Sequence, residues 1–301
     1  MKYAFVTIAH AVDFGLLELQ ARSMAKYCPR HLVHEILIVE NFDPGAAVDW
    51  RYPLLHAYGR LAGMVRFIDP LTIAPPMEQH GGWWRQQVLK IAVAKVVTAE
   101  RYLVLDAKNH LFRPLDVGFL EGPDGRPKLN GYGFEKHSLK DALIRTLGYF
   151  DIEAAPFIAH FTRTSTPYLM LPEVCREIIA YVEKRDGKPF AEIFFDKRLT
   201  EFFLYAGYLQ SQGRLQSTYD MSQPYCAQIW GFSASEDGVR EALGRAAQAG
   251  AGPFLAVHRD ALKLMARPAR RLLAEFWCAS GLFASLADAV RSVETMRERA
   301  P

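Results

Sequence analysis

A carboxylate, an ammonium, an amide and an imidazole follow one short apolar run of the sequence. Residues 101–106 read Arg-Tyr-Leu-Val-Leu-Asp and end in Asp106, and Lys108, Asn109 and His110 come directly after it. Ligands of open α/β sheets bind beyond the carboxyl ends of the strands, so a strand with this ending would place the four groups at one site. They could hold a diphosphate, through Lys108 or through a metal ion bridged by Asp106. The alternative is that Asp106 caps a turn and that Lys108 and His110 are solvated.

A second group of polar side chains precedes this strand. Residues 83–97 have helical spacing, and at about 100° per residue Trp83, Gln86, Gln87 and Lys90 gather on one polar arc. The apolar residues of the segment form a separate arc that would face the core. This separation favours a binding site near the strand end over a purely structural pair of elements.

Arg85 lies in the first turn of that helix but on its apolar side, where an unpaired charge would be costly. We therefore expect a carboxylate or a bound anion beside it. Residues 79–82, Gln-His-Gly-Gly, would lead into the helix N-terminus, which itself favours anions. The alternative is that Trp83 and Trp84 pack in the core and that Arg85 pairs with an acid.

The elements that must position these groups alternate between short strands and helices over the first 115 residues, which predicts a parallel α/β sheet. We expect strands at residues 3–9, 34–40, 65–69 and 101–106, and helices at 13–27 and 83–97. A polar stretch rich in glycine and proline, residues 121–127, interrupts the alternation. The second half is less regular, with strands expected at 168–171 and 254–258 and helices at 173–184, 196–210 and from about 260 onward.

Glu201 is the second candidate acid. On a projection of the expected helix 196–210 it lies at the edge of the apolar face, from which it could reach a pocket. A carboxylate within about 3 Å of an acceptor hydroxyl can act as its general base. The alternative is a solvated acid on a helix surface.

Two motifs in residues 82–115 resemble a known group of proteins. Gly-Trp-Trp-Arg-Gln-Gln-x-Leu-Lys is followed by Tyr-Leu-Val-Leu-Asp-x-Lys-Asn-x-x-x-Arg-Pro-Leu. They resemble a bacterial family of unassigned activity, which is similar to the GT-A-fold nucleotide-sugar glycosyltransferases of the glycogenin and lipopolysaccharide galactosyltransferase kind. The resemblance covers most of the chain. It implies one GT-A-like α/β domain over residues 1–301, with a Rossmann-like nucleotide-sugar-binding lobe (1–120) and an irregular acceptor-side lobe with a helical C-terminus (121–301).

That resemblance implies a transferase that moves a sugar from a nucleotide diphosphate donor to a hydroxyl acceptor, such as a cell-surface glycan or a glycolipid. In those enzymes the strand ends in Asp-x-Asp, which holds Mn²⁺ or Mg²⁺ on the diphosphate. Here Asp106 matches the first carboxylate and Lys108 replaces the second. A cation at this position weakens metal binding and could neutralise phosphate itself, so a metal-dependent and a metal-free site both remain open.

The resemblance also assigns roles to single residues. Asp106 would contact the donor ribose or a metal, and His258, after the run 254–257, would be a further metal or phosphate contact. The alternative is that His258 is a structural histidine at the end of an apolar strand. Glu201 would be the base in an inverting transfer or would orient the acceptor in a retaining one. The residues expected to bind the donor and its phosphates are Arg85, Gln86, Lys90, Lys108, Asn109 and His258. Thr7 and His10 are also expected to bind the donor, near the nucleobase and together with Asp13.

The composition limits the classes of partner that the chain could bind. Thirty-six Lys and Arg against thirty-three Asp and Glu leave a net charge of +3, which excludes a broadly basic nucleic-acid binder. Four cysteines without a C-x-x-C pair favour a reducing cytoplasm, and we expect neither a signal peptide nor a membrane span. The basic segment 259–277 could lie on the anionic inner face of a membrane, or it could be a solvated helix that packs on the core.

Two other function classes stay open beside the glycosyltransferase. The altered Asp-x-Lys-Asn would also suit a protein of the same fold that binds a nucleotide or a sugar without turnover. A nucleotidyltransferase is the third, although it would normally carry a basic, glycine-rich loop after the first strand. Residues 9–13, Ala-His-Ala-Val-Asp, contain no such loop.

Overall fold

The computed structural model describes residues 2–42 and 50–299. The strands are β1 (Tyr3–Ala9), β2 (Val33–Glu40), β3 (Val65–Ile68), β4 (Tyr102–Leu105), β5 (Asn109–Leu111), β6 (Gly131–Tyr132), β7 (Phe161–Thr162), β8 (Tyr168–Met170), β9 (Ala227–Ile229) and β10 (Phe254–Val257). The helices are α1 (Phe14–Tyr27), α2 (Arg51–Tyr58), α3 (Gly82–Ala92), α4 (Val117–Leu120), α5 (Lys140–Tyr149), α6 (Ala155–Ile158), α7 (Pro172–Asp186), α8 (Phe190–Asp196), α9 (Glu201–Ser211), α10 (Leu215–Thr218), α11 (Glu236–Ala247), α12 (Arg259–Leu264), α13 (Arg267–Ala279) and α14 (Leu286–Arg299).

The central sheet has the strand order β3-β2-β1-β4-β8, and only β8 is antiparallel to its neighbour. All seven residues of β1 are buried, as expected of a parallel strand covered on both faces. Tyr3 and Phe5 belong to the hydrophobic core on one face, and Ala4 and Val6 belong to the core on the other. The predicted parallel α/β sheet is confirmed.

A second sheet, of order β5-β10-β9, begins with β5, and three residues separate β5 from the end of β4. Strand β10 runs antiparallel to β5 and parallel to β9, and the amide of Val257 donates to the carbonyl oxygen of Lys108 at 3.1 Å. Residues 106–108 therefore lie at the junction of the two sheets. Trp230 and His258, which follow β9 and β10, are brought to the same junction.

A helix covers residues 201–210 of the helix expected over 196–210, but the expected start is wrong. Helix α8 ends at Asp196, and α9 begins at Glu201. Between them Arg198 has φ = 51°, a left-handed conformation that interrupts the helical hydrogen bonds. Glu201 consequently occupies the first turn of α9 instead of the middle of a longer helix.

The amphipathic helix α13, which precedes α14, packs its apolar side against the core. Leu273, Ala274 and Trp277 are buried, and the indole Nε1 of Trp277 donates to Nε2 of His110 at 2.8 Å. Arg270 pairs with Glu294 at 2.7 Å. This packing agrees with the alternative of a helix packed on the core, and contact of segment 259–277 with a membrane stays a prediction. Within residues 2–42 and 50–299, every helix is too short or too polar to cross a bilayer.

Candidate functional site

A cleft with two ends opens where the central sheet, the second sheet and helices α3 and α9 meet. A small cavity of about 220 Å³ lies over the ends of β1 and β2, and a large cavity of about 680 Å³ extends toward α9. The two cavities share five lining residues, which are Trp83, Gln86, Asp106, Lys108 and His258. They therefore form one continuous surface around Asp106.

The polar arc of α3 forms one wall of the large cavity. Trp83, Gln86, Gln87 and Lys90 all line it, as their spacing at three and four residues on a helix requires. Lys90 is 3% exposed, whereas the indole of Trp83 is half exposed at the mouth. Arg85 points to the other side of the helix, is 8% exposed and lines neither cavity. The structure thus places one of the expected phosphate contacts outside the cleft.

Hydrogen bonds from buried residues hold the turn that follows β4. The amide of Asp106 donates to Oδ1 of Asn109 at 2.8 Å, and the amide of Asn109 donates back to the carbonyl oxygen of Asp106 at 2.9 Å. Gln20 Nε2 donates to the same carbonyl oxygen at 2.8 Å, and Thr7 Oγ1 donates to Gln20 Oε1 at 2.8 Å. Thr7 and Asn109, both expected to contact the donor, are buried beneath the cleft and fix the turn instead.

Four charged side chains from three elements meet in the cleft. The ammonium of Lys90 lies 3.0 Å from Oδ1 of Asp106 and 3.1 Å from Oε1 of Glu201. Lys108 forms an ion pair with Oδ2 of Asp106, which also accepts a hydrogen bond from Thr166 Oγ1 at 2.9 Å. The two formal positive charges balance the two negative ones.

Burial acts differently on the two carboxylates. It would raise the pKa of Asp106, but Lys108 and Lys90 outweigh it and hold that pKa well below its usual range. Burial raises the pKa of Glu201 because the single neighbouring ammonium of Lys90 does not compensate for it. Lys90 keeps a raised pKa despite its burial, since Asp106 and Glu201 both stabilise its charge. Two carboxylates whose pKa values are moved in opposite directions are suited to different chemical tasks.

Trp230 and His258 form the opposite wall. The Lys108 ammonium lies 4.9 Å from the centroid of the Trp230 ring, and the His258 imidazole stacks on that ring at 5.1 Å. Nδ1 of His258 accepts a hydrogen bond from the amide of Asp260 at 3.2 Å, which assigns the proton of the neutral ring to Nε2. Burial and the nearby Lys108 lower the pKa of His258.

The small cavity is bounded by polar residues at the ends of β1 and β2. His10 and Asn41 line it, and Asp13 lies 3.4 Å from the guanidinium of Arg259 across it. Gly82 allows the start of α3 to approach His10, because a Cβ at this position would lie 3.2 Å from Cδ2 of the imidazole. Of the three residues expected near a nucleobase, His10 and Asp13 are part of the cleft wall, and Thr7 is not.

The residues around Asp106 do not fit the divalent cation that the resemblance implies. Both of its carboxylate oxygens contact an ammonium group, from Lys90 and from Lys108. Across the described residues, 2–42 and 50–299, no three His, Cys, Asp or Glu side chains are grouped so that they could hold a metal ion. Asn109 and His258, the other nearby candidates, use Oδ1 and Nδ1 in local hydrogen bonds.

The sequence did not indicate Ser165, Thr200 or Gln228 as lining residues of the large cavity, whereas it did indicate Gln87 on the polar arc of α3. Gln228 Nε2 donates to Ser165 Oγ at 3.1 Å, and both side chains line the wall opposite α3. Gln87 Oε1 and Thr200 Oγ1 are buried, line the same cavity and have no hydrogen-bond partner within the described part of the chain. These residues come from separate segments, so no local motif signals that they converge.

Comparisons with known proteins give the family and the fold of the chain. The model of a family of unknown function, DUF6492, matches residues 9–232. Among solved structures, the galactosyltransferase LgtC in complex with donor and acceptor sugar analogs is similar with a TM-score of 0.53 and 12% identity, over 96% of this chain and 99% of that one. Mouse xyloside xylosyltransferase 1 gives a TM-score of 0.50 and 10% identity, over 85% and 97%. No curated protein sequence gives a significant match. At these identities the structural similarity establishes the GT-A fold.

Proposed function

The chain belongs to DUF6492, a family of unknown function, and from its site we propose that it is a glycosyltransferase that moves a sugar from a nucleotide diphosphate donor to a hydroxyl acceptor. The observation that carries the proposal is the contact of Lys90 with both Asp106 and Glu201. It places the acid at the strand end and the acid of the second lobe side by side in one cleft. A transferase needs this proximity between its donor and acceptor groups.

The two ends of the cleft suit the two parts of a nucleotide sugar. The nucleoside would occupy the small cavity beside His10, and the sugar would occupy the large cavity near Glu201. The diphosphate between them would meet Lys108 and the Nε2 proton of His258, both of which line the two cavities. Ammonium and imidazole N–H groups are suitable donors for phosphate oxygens.

The reaction follows from this placement. The bond between the anomeric carbon and the terminal phosphate oxygen breaks, and its electron pair stays on the diphosphate. The acceptor oxygen then bonds to the anomeric carbon. If the transfer inverts that carbon, Glu201 takes the proton of the acceptor hydroxyl, which its raised pKa favours. If the transfer retains the configuration, Glu201 orients the acceptor, and the departing diphosphate oxygen takes the proton of the acceptor hydroxyl.

The unpartnered polar atoms of the large cavity support a sugar as its occupant. Gln87 Oε1 can accept a hydrogen bond from a sugar hydroxyl, and Thr200 Oγ1 can donate or accept one. A buried polar atom without a partner costs about 1–3 kcal/mol. Binding of a hydroxylated ligand would remove that cost.

The test is a calorimetric titration of the protein with UDP and GDP, followed by transfer assays with the matching nucleotide sugars. Asp106→Ala should weaken nucleotide binding because it removes the carboxylate that holds Lys108 in position, and Glu201→Gln should bind the nucleotide but lose transfer. Asp237→Ala, an exposed acid in the first turn of α11, is the matched control and should leave both unchanged. Nucleotide binding by Asp106→Ala that equals wild type would overturn the proposal.

A protein that binds the nucleotide sugar without turnover is the second candidate. It is favoured by the ion pairs that already occupy both carboxylates of the cleft. Measurable nucleotide binding, without transfer or donor hydrolysis across a panel of nucleotide sugars, would support it. Release of the nucleoside diphosphate at an acceptor-dependent rate would exclude it.

The acceptor in our proposal is a glycan or a lipid-linked sugar in the cytoplasm, at the inner face of the membrane. Leu264 at the end of α12 is 65% exposed and belongs to the basic segment 259–277. Sedimentation with vesicles of phosphatidylcholine, with and without an anionic lipid, tests this part separately. Binding only to the anionic vesicles supports it, and no binding to either removes the membrane from the proposal.

A further inference from the structure

We infer that Lys108 supplies the positive charge that a divalent cation supplies in Asp-x-Asp sites, so that this cleft binds a nucleoside diphosphate without metal. This inference rests on the proposed function, because it concerns how the same cleft neutralises its donor. It goes further by assigning the charge to one side chain.

Both carboxylate oxygens of Asp106 already contact an ammonium group. Its Oδ1 lies 3.0 Å from the ammonium of Lys90, and its Oδ2 is paired with Lys108 and hydrogen-bonded to Thr166. A divalent cation binds carboxylate oxygen at about 2.0–2.6 Å, so on either oxygen it would lie next to an ammonium group. Repulsion at such a distance is strong inside a cleft of low dielectric constant. Lys108 would have to withdraw before a metal could bind Oδ2, and Lys90 would have to withdraw before a metal could bind Oδ1.

The side chain of Lys108 is held in position by two contacts. Its side chain is only 12% exposed, and its ammonium lies between the Asp106 carboxylate and the face of the Trp230 ring. These two contacts restrict the side chain without using all three of its N–H donors. A lysine that is fixed before the ligand arrives loses little conformational entropy when it binds a phosphate oxygen.

The proposed reaction creates negative charge on the leaving diphosphate. When the bond to the anomeric carbon breaks, the diphosphate keeps the electron pair and gains one negative charge. Asp106, Glu201, Lys90 and Lys108 together carry no net charge, so the site does not repel this anion as a pair of free carboxylates would. Preorganised donors that face a developing charge are an effective form of catalysis.

The experiment compares nucleotide binding by wild type and two variants, with EDTA and with Mn²⁺. Wild type should bind the better of UDP and GDP with the same Kd in both conditions, within a factor of about three. Lys108→Ala should weaken binding about 10- to 100-fold in both, the effect of losing one charged hydrogen bond. Lys108→Asp, which restores Asp-x-Asp, should bind poorly in EDTA and regain affinity in Mn²⁺.

Direct metal binding gives a readout that is independent of the nucleotide. Electron paramagnetic resonance should show free Mn²⁺ with wild type and protein-bound Mn²⁺ with Lys108→Asp. Lys184→Asp, on the exposed side of α7, is the matched control and should behave as wild type. Circular dichroism and the Tm of each variant establish that it is folded.

The outcomes separate this inference from the function on which it rests. Nucleotide binding by wild type that needs Mn²⁺, or that Mn²⁺ tightens tenfold or more, overturns the inference and leaves the glycosyltransferase proposal standing. Equal affinity of Lys108→Ala and wild type also overturns it. If neither nucleotide binds to folded wild type in any condition, the proposed function itself is wrong.

Discussion

The ammonium of Lys90 lies 3.1 Å from Oε1 of Glu201, and this contact joins α3 to the first turn of α9. The two residues are 111 positions apart in the chain. Because α3 belongs to the first half of the chain and α9 to the second, the pair fixes the two walls of the cleft relative to each other. Its loss should therefore affect stability and function together.

Lys90→Met should destabilise the fold by about 3–5 kcal/mol at pH 8, because it leaves Glu201 as a buried charge without a counter-ion. The loss should be smaller at pH 5. Glu201 already has a raised pKa, and without Lys90 that pKa rises further, so at low pH the acid can protonate and avoid the charge. Urea unfolding at the two pH values measures both effects.

Lys188→Met is the matched control for this substitution. Lys188 also lies between two carboxylates, at 2.7 Å from Glu192 and 3.0 Å from Asp196, but all three side chains are exposed. Water screens such a surface group, so the Tm should not change measurably. Equal destabilisation of the two variants would show that the buried network has no special role.

Thr200→Val and Thr166→Val should change stability in opposite directions. The Thr200 hydroxyl is buried without a partner in the described structure, so its removal should raise the free energy of unfolding by about 1 kcal/mol. The Thr166 hydroxyl lies 2.6 Å from Asn109 Oδ1 and 2.9 Å from Asp106 Oδ2, so its removal should lower that free energy by about 1–3 kcal/mol.

Transfer assays complete that comparison. If Thr200 binds a sugar hydroxyl, Thr200→Val should raise KM for the donor or the acceptor several-fold while the protein becomes more stable. An increase in stability with unchanged KM for both substrates would remove Thr200 from the binding site.

How far the sequence predicts this site depends on how local each signal is. The helical spacing of Trp83, Gln86, Gln87 and Lys90 identified the wall of the cleft, since all four belong to one helix. The expected strand at residues 3–9 also coincides with β1. Such patterns arise from the backbone geometry of a single element.

The remaining features depend on contacts between distant segments. Asn109 follows the end of β4, as expected, but its side-chain Oδ1 accepts a hydrogen bond from the Asp106 amide within the turn. No spacing in the sequence predicts this contact. Gln228 and Ser165 meet only because the second sheet packs against the first. The start of α9 at Glu201 depends on the left-handed conformation of Arg198. An arginine in the sequence does not predict that conformation, because positive φ is uncommon outside glycine.

Glu201→Gln should lower kcat by about 10²- to 10⁴-fold if Glu201 is the general base. Only the ionised carboxylate can take a proton, so the rate of wild type should fall as pH decreases through the raised pKa of Glu201. The pH dependence of kcat/KM measures this limb, which the variant should lack. Glu192→Gln, an exposed acid on α8, is the control. An unchanged kcat in Glu201→Gln would assign the residue to orientation of the acceptor.

The buried His110 should make the fold sensitive to acid well before most carboxylates titrate. Burial lowers the pKa of this imidazole to about 3, and its Nε2 accepts the indole N–H of Trp277, which requires the neutral ring. The unfolded chain binds a proton near pH 6.5 and the folded one does not, so stability is complete above that pH and falls by about 1.4 kcal/mol per pH unit between 6.5 and 3. His110→Gln should remove this slope from the urea-unfolding free energies, whereas the exposed control His31→Gln should retain it. Parallel curves for wild type and His110→Gln would mean that His110 is protonated in the folded state.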